Sequence, residues 1–370
     1  MYVILIFTFT LICMCYTTIE GQFPPKVRIL VNCILVVFFS VLVACRPLTV
    51  PDTEAYIYMY KQIDVHTRYP IVNLMVPEFD AEVGYMIFCQ ASKFFFGEAF
   101  RLFMFIIPII NISLIAYGSK KIIQNVNKDF SDSKEFEYSF ALILCLYTSF
   151  FGLMYNGIVL RAGLALSLTI CSLAMYLDKK YMKMIILFII AFTFHKMALV
   201  GVFAIVIFHL TSILKRSNYF IVWLLIGAIA VSGLGNRIIE PIITMLQMLI
   251  YKIPILSSYT NYLSDYTSYV QYGYKSVFFY FVGLILLFWK VNSKIYYKLL
   301  NVYYVGLTMM VFLNNINGAR RIYEFMTVYV VLLLYILYRY SKMEKTLIWI
   351  LILGIVLISN VLALNIWNVF

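Results

Sequence analysis

Apolar runs long enough to cross a membrane alternate with polar loops along most of the chain. A membrane-crossing helix needs about 20 predominantly apolar residues, and such runs recur from residue 2 to residue 364. The pattern therefore predicts an all-α polytopic membrane protein with about 11–12 transmembrane helices. The composition agrees, because 64% of the residues are hydrophobic and the mean hydropathy is +0.92.

Two long polar stretches interrupt this pattern, at residues 46–81 and 236–275. Acidic residues offset the basic ones in the first stretch, whereas most shorter loops are rich in Lys and Arg. Because cytoplasmic loops carry the excess of positive charge, both stretches are predicted to be outer loops of one integral membrane domain, residues 1–370. The net charge of +12 then follows from topology, and it favours lipid headgroups over nucleic acid as partners.

Tyrosine residues crowd the second outer loop and alternate there with Ser, Thr and Asn. One interpretation is an aromatic belt at the membrane interface. The other is a platform for sugar rings, because pyranoses present apolar C–H faces to aromatic side chains. Both interpretations remain open at this point.

The segment from Asp178 to Ser217 carries a His195–Lys196 pair among about thirty apolar residues, and basic residues flank both of its ends. Both ends are therefore predicted to face the cytoplasm. Residues 184–194 are about half as long as a span requires, whereas residues 196–214 are close to a full span. A helix that breaks near His195 and re-enters satisfies both observations and indicates a cavity that faces outward. The alternative is one long tilted helix.

Three arginines carry charge that topology does not explain. Arg161 lies about one turn inside a predicted span, where its guanidinium either snorkels to the interface or has a partner. Arg320 and Arg321 are adjacent in a short outer loop, where they are either interfacial anchors or a bidentate site for a phosphate or diphosphate. We interpret Arg320 and Arg321 as an anion site, because so short a loop has no topological need for two cations.

The chain lacks the motifs of metal-dependent and nucleotide-dependent catalysis. Its seven cysteines lie in apolar stretches without disulfide or zinc-ligand spacing. No Walker, dinucleotide-binding, zinc-protease or serine-hydrolase motif occurs, nor does an Asp-x-Asp pair. The sequence therefore predicts neither a metal nor a cofactor.

Four segments are distinctive in chain order: PDTEAYIYMYKQ followed by EVGYMIF, then NGIVLRAGLALSL, KYMKMIILFIIAFTFHKMALVG and GARRIYEFMTVYVVLLL. Together they resemble the EpsG/Wzy-type family of bacterial polysaccharide polymerases. The first segment departs from the small-Asp-Tyr opening of that family, since it begins Pro51-Asp52-Thr53-Glu54. The resemblance implies a fold similar to the GT-C glycosyltransferases and an enzyme that uses lipid-linked donors.

The resemblance also implies a reaction, in which a growing glycan moves from undecaprenyl diphosphate to a new lipid-linked repeat unit on the outer face of the bacterial inner membrane. The catalytic candidates are then His195, Glu82 and Arg161, with His195 or Glu82 taking the proton of the acceptor hydroxyl. The diphosphate would contact the cationic side chains Arg161, Lys196, Arg320 and Arg321. The sugars would contact Asp52, Tyr56 and Tyr323.

The implied partners are the undecaprenyl-diphosphate-linked oligosaccharide, membrane lipids, and a chain-length regulator and flippase of the same pathway. One alternative function is an O-antigen ligase, which uses the same donor but transfers the glycan to lipid A core. The other is a non-catalytic flippase or transporter of the lipid-linked oligosaccharide. A flippase should carry charges on several spans at various depths, whereas the unexplained cations gather toward the predicted outer side.

Overall fold

The structure, a computed structural model, describes residues 1–63, 82–130, 138–251, 272–316 and 320–367. Within these ranges the chain forms helices and no β-strand. The α-helices in chain order are α1 (Tyr2–Ile19), α2 (Pro25–Ala44), α3 (Thr53–Gln62), α4 (Val83–Phe96), α5 (Phe100–Asn127), α6 (Phe140–Tyr147), α7 (Leu153–Gly157), α8 (Leu160–Leu177), α9 (Tyr181–Phe194), α10 (Ala198–Leu210), α11 (Arg216–Ser232), α12 (Leu234–Tyr251), α13 (Tyr274–Phe288), α14 (Lys294–Leu313), α15 (Arg320–Thr327), α16 (Val330–Tyr340) and α17 (Lys345–Ile366).

Seven helical segments of the described residues are long and apolar enough to cross a membrane. They are α1, α2, α5, the joined α6 and α7, α8, the joined α15 and α16, and α17. The pair α11 and α12 is an eighth candidate with a bend of 72°, and α9, α10 and α13 are shorter apolar helices. The described chain thus has eleven apolar helical segments, which confirms the all-α polytopic class. The GT-C-like arrangement of the spans stays a prediction.

The chain divides into two compact units. The first unit comprises Met1–Val202 and Glu344–Phe370, and the second comprises Phe203–Met343. The expectation of a single membrane domain with two outer loops stays a prediction.

Helix α8 lies at the centre of the first unit, where it packs against α5 and α9. Asn111 of α5 links α5, α7 and α8, because its amide donates to the side-chain oxygen of Asn156 at 2.8 Å and its own side-chain oxygen accepts from Ser167 at 3.1 Å. Such hydrogen bonds satisfy polar groups that water does not reach inside a membrane protein. Gly163 allows the close approach, since a Cβ there would collide with the backbone carbonyl of Tyr155.

Helix α14 holds the second unit together through contacts with α11, α12, α13, α15 and α16. Its Asn301 donates to the Thr211 hydroxyl at 2.9 Å and to the Ser212 carbonyl at 3.0 Å. The Tyr219 hydroxyl of α11 donates to the Asn301 side-chain oxygen at 2.6 Å. One amide of α14 therefore fixes both the end of α10 and the start of α11.

The helix break expected near His195 is present. Helix α9 ends at Phe194, His195 is extended with φ −163° and ψ 131°, and α10 begins at Ala198. The alternative of one continuous tilted helix is therefore wrong. A second break follows α11, where Gly233 adopts a left-handed conformation with φ 67°. Glycine suits this position, because it lacks the Cβ that makes positive φ unfavourable.

Helices occupy part of each predicted outer loop. Helix α3 lies within residues 46–81, and most of α12 lies within residues 236–275. Residues 64–81 and 252–271, which include most of the tyrosine-rich stretch, lie outside the described residues. Their interpretation as a sugar platform or an aromatic belt stays a prediction.

Candidate functional site

Glu82 joins three segments that are distant in sequence. It precedes α4, and its Oε2 accepts a hydrogen bond from Arg161 at 2.7 Å, which is also an ion pair. Its Oε1 accepts from the backbone N–H of Lys196 at 3.3 Å. The Glu82 and Arg161 side chains are only 11% and 23% exposed. The carboxylate therefore ties the start of α4 to the start of α8 and to the break before α10.

His195 lies against the same carboxylate, with 4.0 Å between its Nδ1 and Oε1 of Glu82. The backbone N–H of Met197 donates to that Nδ1 at 3.1 Å. Nδ1 is therefore an acceptor, and in the neutral ring the proton lies on Nε2. In this tautomer His195 has a donor at Nε2, while its Nδ1 faces the Glu82 carboxylate.

Tyr56 of α3 connects this group to the first polar stretch. Its hydroxyl is hydrogen bonded to the Arg161 side chain, and its ring lies 5.9 Å from the ring of Tyr85 in α4. Both tyrosines are buried, with 7% and 1% exposure. The structure thus brings together four residues that the sequence singled out: Glu82, Arg161, His195 and Tyr56.

Arg46 is a cation of this region that sequence reasoning missed as a site residue. It is fully buried, its Nε donates to the Thr53 hydroxyl at 3.2 Å, and its Nη1 donates to the Val43 carbonyl at 3.3 Å. Burial, and then the nearby Arg101, lowers the pKa of the Arg46 guanidinium to about 10, so the group stays charged at neutral pH. In sequence Arg46 looks like any basic residue after a span, and only its burial distinguishes it.

Among the described residues near Tyr56 and Tyr85, guanidinium groups outnumber carboxylates. Arg101 donates to the backbone carbonyls of Ala44 and Arg46 at 2.5 Å and 2.8 Å, and Arg46 has no carboxylate partner in the described part of the chain. Arg161 has Glu82. Three guanidinium groups and one carboxylate leave this cluster positive.

The side chains of two other sequence candidates, Lys196 and Asp52, are exposed and lie outside the Glu82 contacts. The Lys196 side chain is exposed, and it is the backbone N–H of this residue that contacts Glu82. Asp52 is exposed at the N-terminus of α3 with a left-handed φ of 62°. Its side chain makes no hydrogen bond or ion pair to another described residue, so the geometry does not connect Asp52 to the cluster.

The adjacent arginines open α15 in the second unit. The Arg321 side chain is half-buried, Tyr323 is 5% exposed and Glu324 is fully buried. Glu324 forms an ion pair of 2.8 Å with Lys275 of α13, which sequence reasoning missed. The side chain of Arg320 lies outside the described atoms. A shared cavity for Arg161 and this arginine pair stays a prediction, since they belong to different units.

The sequence matches the model of a known family, the EpsG family, over residues 29–369. The chain belongs to the EpsG family. This is a family of Wzy-type polysaccharide polymerases, so the chain is a multi-pass membrane protein of the polysaccharide-polymerase type. No curated protein and no solved structure matches the chain.

No metal-ligand group of three or more His, Cys, Asp or Glu side chains occurs among the described residues of this EpsG-family chain. All seven cysteines are free, and four of them are buried. The expected absence of a metal and of a cofactor stays a prediction.

The described cavity of the first unit lies away from Glu82. It has a volume of about 700 Å³ between the first half of α2 and the second half of α5, and Glu20, Arg28 and Lys120 are among its lining residues. Arg46 follows the end of α2 and Arg101 begins α5, so the cavity is at the opposite ends of these helices. No sequence-predicted site residue lines it.

Proposed function

We propose that this EpsG-family protein transfers a growing glycan from undecaprenyl diphosphate to the non-reducing end of a new lipid-linked repeat unit. The reaction would take place on the outer face of the bacterial cytoplasmic membrane. The observation that carries this proposal is the Glu82 cluster, in which one carboxylate, Arg161 and the His195 break meet beside two further arginines. This combination offers a proton acceptor and excess positive charge in one place.

The proposed reaction is a displacement at the anomeric carbon of the donor sugar. The acceptor hydroxyl oxygen forms a bond to that carbon, the bond from carbon to the diphosphate oxygen breaks, and the electron pair leaves with the diphosphate. The hydroxyl proton passes to a base of the protein. Positive groups that are fixed before the reaction stabilise the departing diphosphate, and such preorganised electrostatics supply a large part of catalysis in many enzymes.

Glu82 suits the role of the base better than His195 does. Each carboxylate oxygen has two lone pairs, so Glu82 retains acceptor capacity beside its contacts with Arg161 and Lys196. His195 already uses Nδ1 to accept from Met197, which leaves its neutral ring to donate through Nε2. We therefore assign proton transfer to Glu82 and a hydrogen-bond donor role toward a substrate oxygen to His195.

The remaining candidates bind the substrates in this proposal. Arg161 and Lys196 contact the diphosphate, for which the planar fork of arginine is well suited. The same role stays a prediction for Arg320 and Arg321, which belong to the second unit. Tyr56 and Tyr323 were the sugar-binding candidates, but both are buried, with 7% and 5% exposure, so in this proposal they support the site and do not stack on a sugar ring. Asp52 contributes to sugar binding only if the acceptor extends beyond the cluster, because its side chain is exposed.

The test is polymerisation of purified lipid-linked repeat units by reconstituted variants. Glu82→Gln keeps the shape and removes the base, and we expect a loss of about 100- to 10,000-fold in rate. Arg161→Lys keeps the charge and removes the fork, and we expect a loss of about 30- to 1,000-fold. Glu98→Gln is the matched control, because Glu98 is 68% exposed and pairs with Lys93 at 3.0 Å.

Near-parent rates for both Glu82→Gln and Arg161→Lys, at equal protein levels, would contradict the proposed site. The products separate the alternative functions. A polymerase elongates lipid-linked repeats without a lipid A acceptor, a ligase requires that acceptor, and a flippase moves single repeats across vesicles without elongating them.

A further inference from the structure

Helix α12 leaves the preceding span at a steep angle. Helix α11 is the apolar first half of the bent pair, and the axis turns by 72° at the left-handed Gly233 before α12. Spans are tilted by about 20° from the membrane normal on average. A helix that turns by 72° from such a span runs closer to the membrane plane than to its normal.

One face of α12 packs within the second unit. Gly235 lies against Val311 of α14, close enough that a Cβ at this position would contact the Val311 carbonyl. Asn236 and Ile243 are buried, with 6% and 3% exposure. These contacts fix the rotation of α12 about its own axis and therefore decide which side chains point away from the unit.

A second face of α12 is apolar and exposed. Its bulky side chains are between 45% and 63% exposed, and they recur every three or four residues. At 3.6 residues per turn they fall within an arc of about 120°. The members of this apolar stripe are Leu234, Ile238, Ile242, Met245 and Met248.

The third face of α12 is polar. Arg237, Glu240 and Thr244 are all exposed, and by helical geometry they lie along one edge of the apolar stripe. A helix that crossed the membrane would carry the charges of Arg237 and Glu240 into hydrocarbon. A helix in water would expose the whole stripe, and contiguous apolar patches of this kind mark an interaction surface.

We propose that α12 is an interfacial helix that lies along the membrane surface, with the apolar stripe in the acyl-chain boundary and the polar face toward water. A strongly segregated helix with few apolar residues on its polar side binds the interface in this way, with its apolar face about 5–10 Å below the headgroups. The partner of the stripe is thus the lipid bilayer. This inference rests on α11, α12 and α14 alone and is independent of the proposed reaction.

Nitroxide scanning in liposomes of phosphatidylethanolamine and phosphatidylglycerol tests this proposal. The exposed Cys15, Cys33 and Cys45 are replaced by serine, while the buried cysteines stay in place. Ile238→Cys and Met245→Cys label the stripe, and their accessibility to oxygen relative to a water-soluble nickel complex is compared with that of Thr244→Cys. We expect a ratio several-fold higher on the stripe, at a shallow depth.

A label on the span calibrates the depth. Leu225→Cys lies in α11, where Leu225 is 55% exposed, and this label should be clearly deeper than both stripe positions. Equal nickel accessibility at Ile238, Met245 and Thr244 would mean that α12 lies in water and would overturn the proposal. Stripe and polar positions that are all as deep as Leu225 would mean a re-entrant or spanning helix, which also overturns it. Each stripe label reports independently if one of the variants fails to insert.

Discussion

Lys275 and Glu324 form a buried ion pair, and removing either partner should strongly destabilise the second unit. Lys275 Nζ lies 2.8 Å from Glu324 Oε1, and the side chains are 12% and 0% exposed. At this distance two unit charges attract by about 6 kcal/mol for an effective dielectric constant near 20. Desolvation of both groups offsets much of this attraction, so the pair as a whole contributes little. When one partner is removed, the other keeps a buried charge that has lost its counter-charge at 2.8 Å.

The perturbation is therefore a double-mutant cycle with Lys275→Met and Glu324→Met. Each single change should lower the free energy of unfolding by about 3–5 kcal/mol, because the remaining charge stays buried. The double variant should lose less than either single one, because two methionines of similar volume need no charge partner. Methionine also preserves the apolar stem of Lys275, whose Nζ lies 5.8 Å from the centre of the Phe279 ring.

The assay is unfolding of the purified protein in detergent micelles by titration with SDS, followed by circular dichroism. Lys180→Met is the matched control, because Lys180 is 49% exposed and lies 3.4 Å from Asp178. Exposed pairs contribute about 0–1 kcal/mol, so the control should unfold almost as the parent does. Additive losses in the double variant would refute the reasoning, since they would mean that the two side chains are energetically independent.

Three further predictions concern the first unit. Gly84→Val should lower the free energy of unfolding by about 1–3 kcal/mol, because a Cβ at Gly84 would collide with Thr193, and the melting temperature in detergent measures it. Trp367→Ala should lower the same free energy by about 3–5 kcal/mol, because the indole is 1% exposed and fills the space beside α7. The hydrogen bond from Asn125 lowers the pKa of Asp178 from its usual 3.8. The ionised carboxylate therefore stabilises the fold fully above pH 3.8, and this stabilisation is lost as the pH falls through the lowered pKa. Asp178→Asn should therefore flatten the acid limb of a melting-temperature profile.

The sequence predicts the helix class and the break at His195 because both depend on local patterns. Apolar length defines a span, and the basic flanks of residues 178–217 place both ends on one side, so the chain must turn back within the apolar run. The structure adds the consequence of the break. The backbone N–H of Lys196, which no helix uses, donates to Glu82, 114 residues away in sequence. No periodicity in the chain encodes that contact.

Pairings between distant residues were the main omission of the sequence analysis. Glu82 was a catalytic candidate without an assigned ion-pair partner, and Glu324 was not singled out. Their partners, Arg161 and Lys275, lie 79 and 49 residues away. Burial of a charged side chain implies that a partner exists, but identifying that partner requires the packing of the helices.

Sequence reasoning missed helix α12 for a different reason, because it assigned residues 236–275 to an outer loop. Tyrosine and polar residues dominate residues 236–275, so that range is typical of a loop when it is considered as a whole. The helical period is confined to its first part, where Ile238, Ile242 and Met245 repeat on one face. A window of about 18 residues that starts at Leu234 would have revealed this period.

Glu82 has two roles in the proposed site, and kinetics can separate them. As the ion-pair partner of Arg161 it cancels one of three clustered guanidinium charges, and as the proposed base it accepts a proton during transfer. Glu82→Gln removes both functions, so the cluster becomes more positive while proton transfer fails. An anionic donor should then bind no more weakly, and the loss should appear in kcat. A rise in KM with kcat unchanged would instead identify Glu82 as a positioning residue that orients Arg161 and the His195 break, since uniform binding energy does not alter the chemical step.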